Sequence, residues 1–370
     1  MPAVPRDQVG VALDMHGCPN RCRHCWVGPR PAGGAMTEDD MRWVVGQFRA
    51  FIQERAERPL FDKLQVSSWA REPDYSDDYR GLYELEQELS DSPTRCDEYV
   101  LSIWRLARDR DYAPWAYEIG VRVCQIKFFG MEQMTDWGYR RRGAFRDALV
   151  ATESLLAAGI RVRWRWYFTK KIIPDLPGLI DLTQEMRLRE RCQALGGPFE
   201  LWFLPISPDG EAWNLEHLRP TTQDLDKVPR WLLDDEEQRT GEPIGLPERT
   251  LLPSLLEEQG PVLSNLSDMG GKGHLWFHVV PGFDVYLLTF ETTPAFRLGN
   301  LQTDGVGAII DRYQRDDTRG LQAMFRVSVG ELAQHFGRPR GERLYTPGDL
   351  KTRWAKMRVD QARPREGALR

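Results

Sequence analysis

Along the first two hundred residues, polar and apolar positions switch repeatedly between a period of two and a period near 3.6. Val9, Val11, Leu13 and Met15 fall on one face of an extended segment, and Gly10, Ala12, Asp14 and His16 on the other. That is the pattern of a strand. Thr37-Glu38-Asp39-Asp40 follows as a capping-box signal, and Met41, Val44, Val45, Phe48, Phe51 and Ile52 then form the stripe of an amphipathic helix. Further strands are predicted at Leu64–Trp69, Tyr99–Trp104, Val121–Phe129, Ile160–Thr169 and Phe199–Ile206. Helices are predicted between them at Ser76–Leu89, Trp115–Ile119, Gly143–Ala158 and Leu179–Met186. Strand and helix thus alternate about six times, the signature of a parallel βα array. Such an array closes into a barrel or opens into a doubly wound sheet. In both, the reactive groups lie at the C-terminal ends of the strands.

The pattern changes at Asp209. An acidic run, Asp234-Asp235-Glu236-Glu237, and four prolines, Pro243, Pro247, Pro253 and Pro261, mark residues 209–260 as a linker that contains helix. His274–Val280 and Val285–Phe290 read as a hairpin across Pro281-Gly282-Phe283-Asp284, followed by an amphipathic segment at Val306–Tyr313. The predicted organisation is a core over residues 1–208, the linker, a small α+β domain over 261–335 and a basic tail over 336–370. From Arg338 onward the chain carries a net charge of +6, leaving −11 for the rest. A solvated, frayed tail is the plain reading of that stretch, and a clamp for an anionic partner the sharper one.

Polar residues in a parallel barrel strand point inward, because the outer face packs on helices. The fifth strand places Ile160, Val162, Trp164, Trp166 and Phe168 outside, with Arg161, Arg163, Arg165, Tyr167 and Thr169 inside. Gln125 and Lys127 of strand four, Gln65 and Ser67 of strand two, and Asp14 and His16 of strand one join them. The interior is therefore expected to be polar and cationic, suited to a ligand with a carboxylate or other anion. The facing strands offer no acid to match the arginines beyond Asp14, so at least one arginine is expected to lack a protein partner. Cys124 falls on the apolar face and reads as a core residue.

Cys18, Cys22 and Cys25 cluster within eight residues directly after the first strand, while Cys96, Cys124 and Cys192 are scattered. No apolar leader precedes them and no apolar run is long enough to cross a membrane. A reducing, cytoplasmic compartment and a metal role are therefore expected rather than disulfides. Three thiolates suit zinc, with His16 or His24 as fourth ligand, or an iron–sulfur cluster with one iron left open. No GxGxxG follows the first strand and no GxxxxGK[ST] occurs, so dinucleotide and P-loop chemistry are not indicated. A net charge of −5 gives no global footprint for nucleic acid.

Cys18-Pro19-Asn20-Arg21-Cys22-Arg23-His24-Cys25 resembles the C-x3-C-x2-C loop of the radical S-adenosylmethionine (radical SAM) superfamily. The resemblance includes its place after strand one and the βα alternation behind it, and extends over residues 8–210. It implies an α/β fold, a partial (β/α)6 TIM-like barrel with a small α+β C-terminal domain. It also implies one [4Fe–4S] cluster on Cys18, Cys22 and Cys25 whose open iron chelates S-adenosylmethionine (SAM). Reductive cleavage then yields a 5′-deoxyadenosyl radical that abstracts hydrogen from substrate, and an external one-electron reductant, flavodoxin- or ferredoxin-like, supplies the electron. His24 holds the place usual for an aromatic residue. Ser67-Ser68-Trp69-Ala70-Arg71-Glu72-Pro73 is similar to the end of the family's Gly-Gly-Glu-Pro motif, but without the paired glycines. Together with the inward-facing set, this nominates His24, Ser67, Glu72, Gln125, Lys127 and Arg165 for SAM or substrate contact, and Tyr167 as a hydrogen-bond or proton donor. Gly282-Phe283-Asp284-Val285-Tyr286, running on to Leu298-Gly299-Asn300-Leu301, resembles the SPASM or twitch extension. No cysteine follows Cys192, so a single cluster is expected, with Trp276, Phe277 and Phe283 closing the barrel mouth. A zinc- or iron–sulfur-stabilised binding module, and SAM cleavage to a 3-amino-3-carboxypropyl fragment, are the alternatives.

Overall fold

The computed structural model describes residues 8–15, 17–27, 34–54, 61–68, 76–92, 98–264 and 275–361. His16, Glu72 and Cys96 lie outside them. Among the described residues, eleven strands run in chain order: β1 Gln8–Leu13, β2 Lys63–Ser67, β3 Glu98–Tyr99, β4 Val123–Phe128, β5 Arg161–Phe168, β6 Glu200–Pro205, β7 Leu246–Pro247, β8 Leu275–Val279, β9 Asp284–Leu287, β10 Gly299–Asn300 and β11 Leu344–Tyr345. The expected βα alternation is present through β6. Helix Glu38–Glu54 joins β1 to β2 and opens as the pattern required: Thr37 Oγ1 accepts from the Asp40 N–H at 3.1 Å, and the Asp40 carboxylate accepts from the Thr37 N–H at 2.8 Å. Its predicted stripe is buried from Met41 to Phe51.

The third strand is shorter than its pattern suggests. Only Glu98–Tyr99 pairs, because Ser102 turns its hydroxyl to accept from the Arg105 N–H and caps a helical turn, Ile103–Leu106. The other early elements match their predictions to within a few residues.

The strands form two main sheets. β3-β4-β5-β6 is parallel throughout, and its apolar face carries Val162, Trp164, Trp166 and Phe168 into one core with Cys124 and Cys192. The other sheet has the order β10-β9-β8-β1-β2. β8 and β9 form the predicted hairpin, and Val280 C=O accepts from the Phe283 N–H at 2.9 Å across a Pro281-Gly282 turn with Gly282 at φ 88°. β8 also lies parallel to β1, with Gly10 opposite Trp276 and Ala12 opposite His278. The hairpin therefore extends the β1 sheet. Among the described residues no ladder joins β2 to β3.

This placement corrects the expectation for two of the three aromatic residues, Phe277 and Phe283. Period two along β8 sends Leu275, Phe277 and Val279 outward, so Phe277 packs 5.6 Å from Phe48 and is fully buried. Phe283 packs edge-on to Trp43 at 4.8 Å. Of the three, Trp276 alone shares the inner face with Gly10. The basic C-terminal stretch also departs from its plain reading. Helix Pro347–Gln361 is folded, and its Trp354 is fully buried. Cations of this stretch meet acids of the body: Arg353 of the helix, and Arg343 before it, with Glu216, Lys351 with Glu258, and Lys356 with Glu291. Among the described residues, part of the charge asymmetry read from the sequence is thus met by acids of the same chain. No helix among the described residues is long and apolar enough to cross a membrane.

Candidate functional site at the cysteine loop

The cysteine loop leaves the C-terminal end of β1 and is held from three sides. Helix Glu132–Tyr139, which follows β4, accepts from it at two carbonyls: Arg21 N–H to Tyr139 O at 3.1 Å and Arg23 N–H to Gly138 O at 2.8 Å. Arg23 also lies over the Trp137 ring and donates to Trp137 O at 3.1 Å. Asn20 accepts from Arg141 Nε at 2.6 Å. The turn after β6 donates Glu211 N–H to Cys25 O at 2.9 Å. Thr292, beyond β9, donates both its N–H and its hydroxyl to Val27 O. These bonds bring together the ends of β1, β4, β6 and β9.

Cys18, Cys22 and Cys25 are each half-buried on this loop, and the Cys25 N–H closes a turn onto Cys22 O at 3.2 Å. Among the described residues, no three His, Cys, Asp or Glu side chains converge into a metal-binding group. The fit to an iron–sulfur cluster therefore rests on donor chemistry, three sulfur donors on one anchored loop, and on what lies beside them.

His24 points into the interior. It is buried and packs 4.6 Å from the Tyr167 ring and 4.9 Å from Phe129, which itself lies 4.9 Å from Tyr167. Burial, then the charges of Lys127 and Arg165, hold its imidazole well below its ordinary pKa. A neutral His24 in an aromatic stack offers a flat ring face. Its Nδ1 is buried with no hydrogen-bond partner.

Lys127 and Arg165 stand side by side in register on β4 and β5. Neither side chain has a hydrogen bond or ion pair among the described residues. Arg165 lies over the Tyr167 ring at 4.8 Å, and its Nε is buried and unpartnered. Two adjacent cations beside a neutral histidine make a site that lacks an anion. Arg163 is different. It pairs with Glu200 of β6 at 2.6 Å and stacks on Trp202 at 4.1 Å. The expected shortage of acids is thus corrected for Arg163, while Arg165 has no hydrogen bond or ion pair among the described residues. Gln125, opposite Arg163, is half-buried on the same inner face, and Ser67 is half-buried at the end of β2 opposite Ala12.

Three features escaped the sequence reading. Phe129 follows β4 directly, where continued alternation turns it inward. Glu200 and Trp202 occupy the inner face of β6 by the same period of two. The third is a cavity of about 350 Å³ behind the loop, lined by Trp26, Asp209, Trp276, Phe290 and Phe296 among others. Its walls come from six separate stretches of chain, so no local pattern announces it.

The fold is similar to that of solved structures at low sequence identity. Native anSMEcpe with bound AdoMet and Kp18Cys peptide matches with a TM-score of 0.50 at 14% identity, over 96% of this chain and 99% of that one. Native anSMEcpe with bound AdoMet gives 0.49 at 15% identity, over 86% of this chain and 84% of that one. SuiB of Streptococcus suis bound to precursor peptide SuiA gives 0.43 at 12%, over 84% of this chain and 65% of that one. No family model and no curated protein matches the chain.

Proposed function

We propose that this chain is a radical SAM enzyme built on a partial (β/α)6 barrel, with the β8–β9 hairpin and the helices beyond it covering the site. One observation carries the reading: the three-cysteine loop follows β1, is tied to the ends of β4 and β6, and sends its buried His24 toward two cations that have no ion pair among the described residues. A solved structure of the same fold holds AdoMet and a peptide, which supports it.

In this reading Cys18, Cys22 and Cys25 hold one [4Fe–4S] cluster. When bound, that cluster supplies the electron for reductive cleavage of SAM. The chain's own residues then bind and orient. Arg165, with Lys127 beside it, receives the carboxylate of SAM, relieving the repulsion of two adjacent cations. His24 offers its ring face to the adenine. Ser67, Gln125 and Glu72 complete the polar contacts, and Tyr167 directs its hydroxyl as a hydrogen-bond donor. Burial of His24, Phe129 and Tyr167 keeps water from the reacting centre. The protein works in the cytoplasm and takes its electron from a flavodoxin- or ferredoxin-like reductant.

The test is anaerobic reconstitution followed by incubation with SAM and dithionite. Four iron and four sulfide per chain, with 5′-deoxyadenosine as product, are expected. Cys18→Ala, Cys22→Ala and Cys25→Ala should each abolish both. Methylthioadenosine would instead indicate transfer of a 3-amino-3-carboxypropyl group. Stoichiometric zinc without iron uptake would overturn the reading in favour of a metal-stabilised binding module.

A further inference from the structure

The cavity behind the cysteine loop contains a carboxylate, Asp209, that has no ion pair of its own among the described residues. Gly210 seals one wall against the loop: a Cβ there would sit 2.3 Å from Cys25 O and 2.5 Å from Trp26 O, so only glycine permits this contact. Trp26, the residue after Cys25, is 42% exposed at the rim. The opposite walls are Trp276 on β8, and Phe290, Phe296 and Met324. The surface is thus largely aromatic, and part of it belongs to the segment that bears the third cysteine.

Four polar groups matter here. Glu291 and Lys356 bind each other at 2.6 and 2.7 Å, which neutralises both. Thr289 is among the lining residues, and its hydroxyl is buried with no hydrogen-bond partner. Asp209 has neither a hydrogen bond nor an ion pair from its side chain among the described residues. The two cations near it are already committed. Lys356 serves Glu291. Arg219 is spread over Glu216, Asp349 and the carbonyls of Ile206 and Leu344. Burial, with Asp349 and Glu291 adding like charge, pushes the Asp209 carboxyl up to about 6. At neutral pH the cavity therefore carries one unbalanced negative charge inside aromatic walls. Such a site favours a ligand that is flat or apolar in its body and positive at one end.

We propose that this cavity is the substrate pocket and takes an aromatic or bulky apolar group carrying a protonated amine or guanidinium, with Asp209 as the counter-ion and the indoles of Trp26 and Trp276 as walls. The proposal rests on the preceding reading for its choice of the cysteine loop as the reacting centre. It gives the two charged regions opposite tasks: the Arg165–Lys127 side receives an anion, and the Asp209 side a cation.

The test is calorimetric titration of the full-length protein with three indoles of similar shape: tryptamine, a cation; tryptophol, neutral; and indole-3-propionate, an anion. Tryptamine should bind best and the anion worst. Asp209→Asn should weaken tryptamine by about 10- to 100-fold, the range for losing a hydrogen bond to a charged partner. It should leave tryptophol nearly unchanged. Equal affinity for the three indoles in the unmutated protein, or tryptamine binding that Asp209→Asn does not alter, would overturn the proposal. An Asp209→Asn chain that fails to fold leaves the comparison of the three indoles decisive by itself. SAM cleavage is measured separately. Selective tryptamine binding without 5′-deoxyadenosine would count against the radical reading alone, and 5′-deoxyadenosine without charge selectivity against the pocket alone.

Discussion

Gly10 is where the pairing of β1 with β8 can be tested with a single methyl group. A Cβ added to Gly10 would lie 2.1, 2.3 and 2.5 Å from Cδ2, Cε3 and Cε2 of Trp276, far inside van der Waals contact. These atoms form the rigid fused edge of an indole, so no small torsion clears them. Elsewhere in a strand, replacing glycine by alanine gains about 0.5–1 kcal/mol from reduced backbone entropy. Here overpacking should reverse the sign and cost about 1–3 kcal/mol, limited because Trp276 can yield toward the cavity it lines. Trp276→Ala removes the obstacle and carries its own cost in lost burial. In the double variant the Gly10→Ala penalty should vanish or become a gain. Urea unfolding of the four proteins gives the coupling directly, and a value of about 1–3 kcal/mol is expected. Additive effects of the two substitutions would mean that Trp276 does not lie over Gly10. β8 would then not dock on β1 in this register.

Other perturbations follow from the interior. Arg165→Leu should weaken SAM binding by tens- to thousands-fold, about 2–5 kcal/mol, with iron content intact; calorimetry with SAM that shows no change would remove Arg165 from the site. Glu200→Ala should destabilise the fold by about 1–3 kcal/mol, since it removes a charge-assisted hydrogen bond from Arg163, which is 7% exposed; no loss in chemical denaturation would contradict the pairing. Glu86 is buried and accepts from the Ser68 N–H and hydroxyl, yet burial raises its carboxyl from 4.5 to about 7. The folded state thus holds its proton more tightly than the unfolded one, so stability should fall by about 3 kcal/mol as pH rises from 4.5 to 7. Glu86→Gln should flatten that slope, and parallel pH profiles for the two proteins would refute the assignment. Iron counting and Mössbauer spectra of the reconstituted protein should show one cluster, and a second would contradict the absence of cysteines after Cys192.

What the sequence made legible was governed by neighbours along the chain. The Thr37 cap, the stripe of helix Glu38–Glu54, the outward face of β5 and the Pro281-Gly282 turn are each set within a few residues, and each formed as its pattern required. The failures have a common origin in forces that act across the chain. Tyr99–Trp104 alternates well enough for a strand, but the Ser102 cap competes for the same backbone and wins. The basic C-terminal stretch looks solvated in isolation, yet Pro347–Gln361 forms a helix that buries Trp354 and whose Lys351, Arg353 and Lys356 meet acids from distant parts of the chain.

The two arginines of β5 show how fine that distinction becomes. Arg163 and Arg165 share a strand, a face and a charge, and the sequence cannot rank them. Two residues along β6 separate their partners, setting Glu200 opposite Arg163 and Trp202 opposite Arg165. The first arginine therefore receives a carboxylate and the second does not. A fold that needed only to fill its interior would have little reason to leave the second cation, with Lys127 beside it, uncompensated next to a buried histidine. The cost of that arrangement is recovered if an anion from outside the chain completes it. Arg165, rather than the better-buried Arg163, is therefore the residue whose charge points to a ligand.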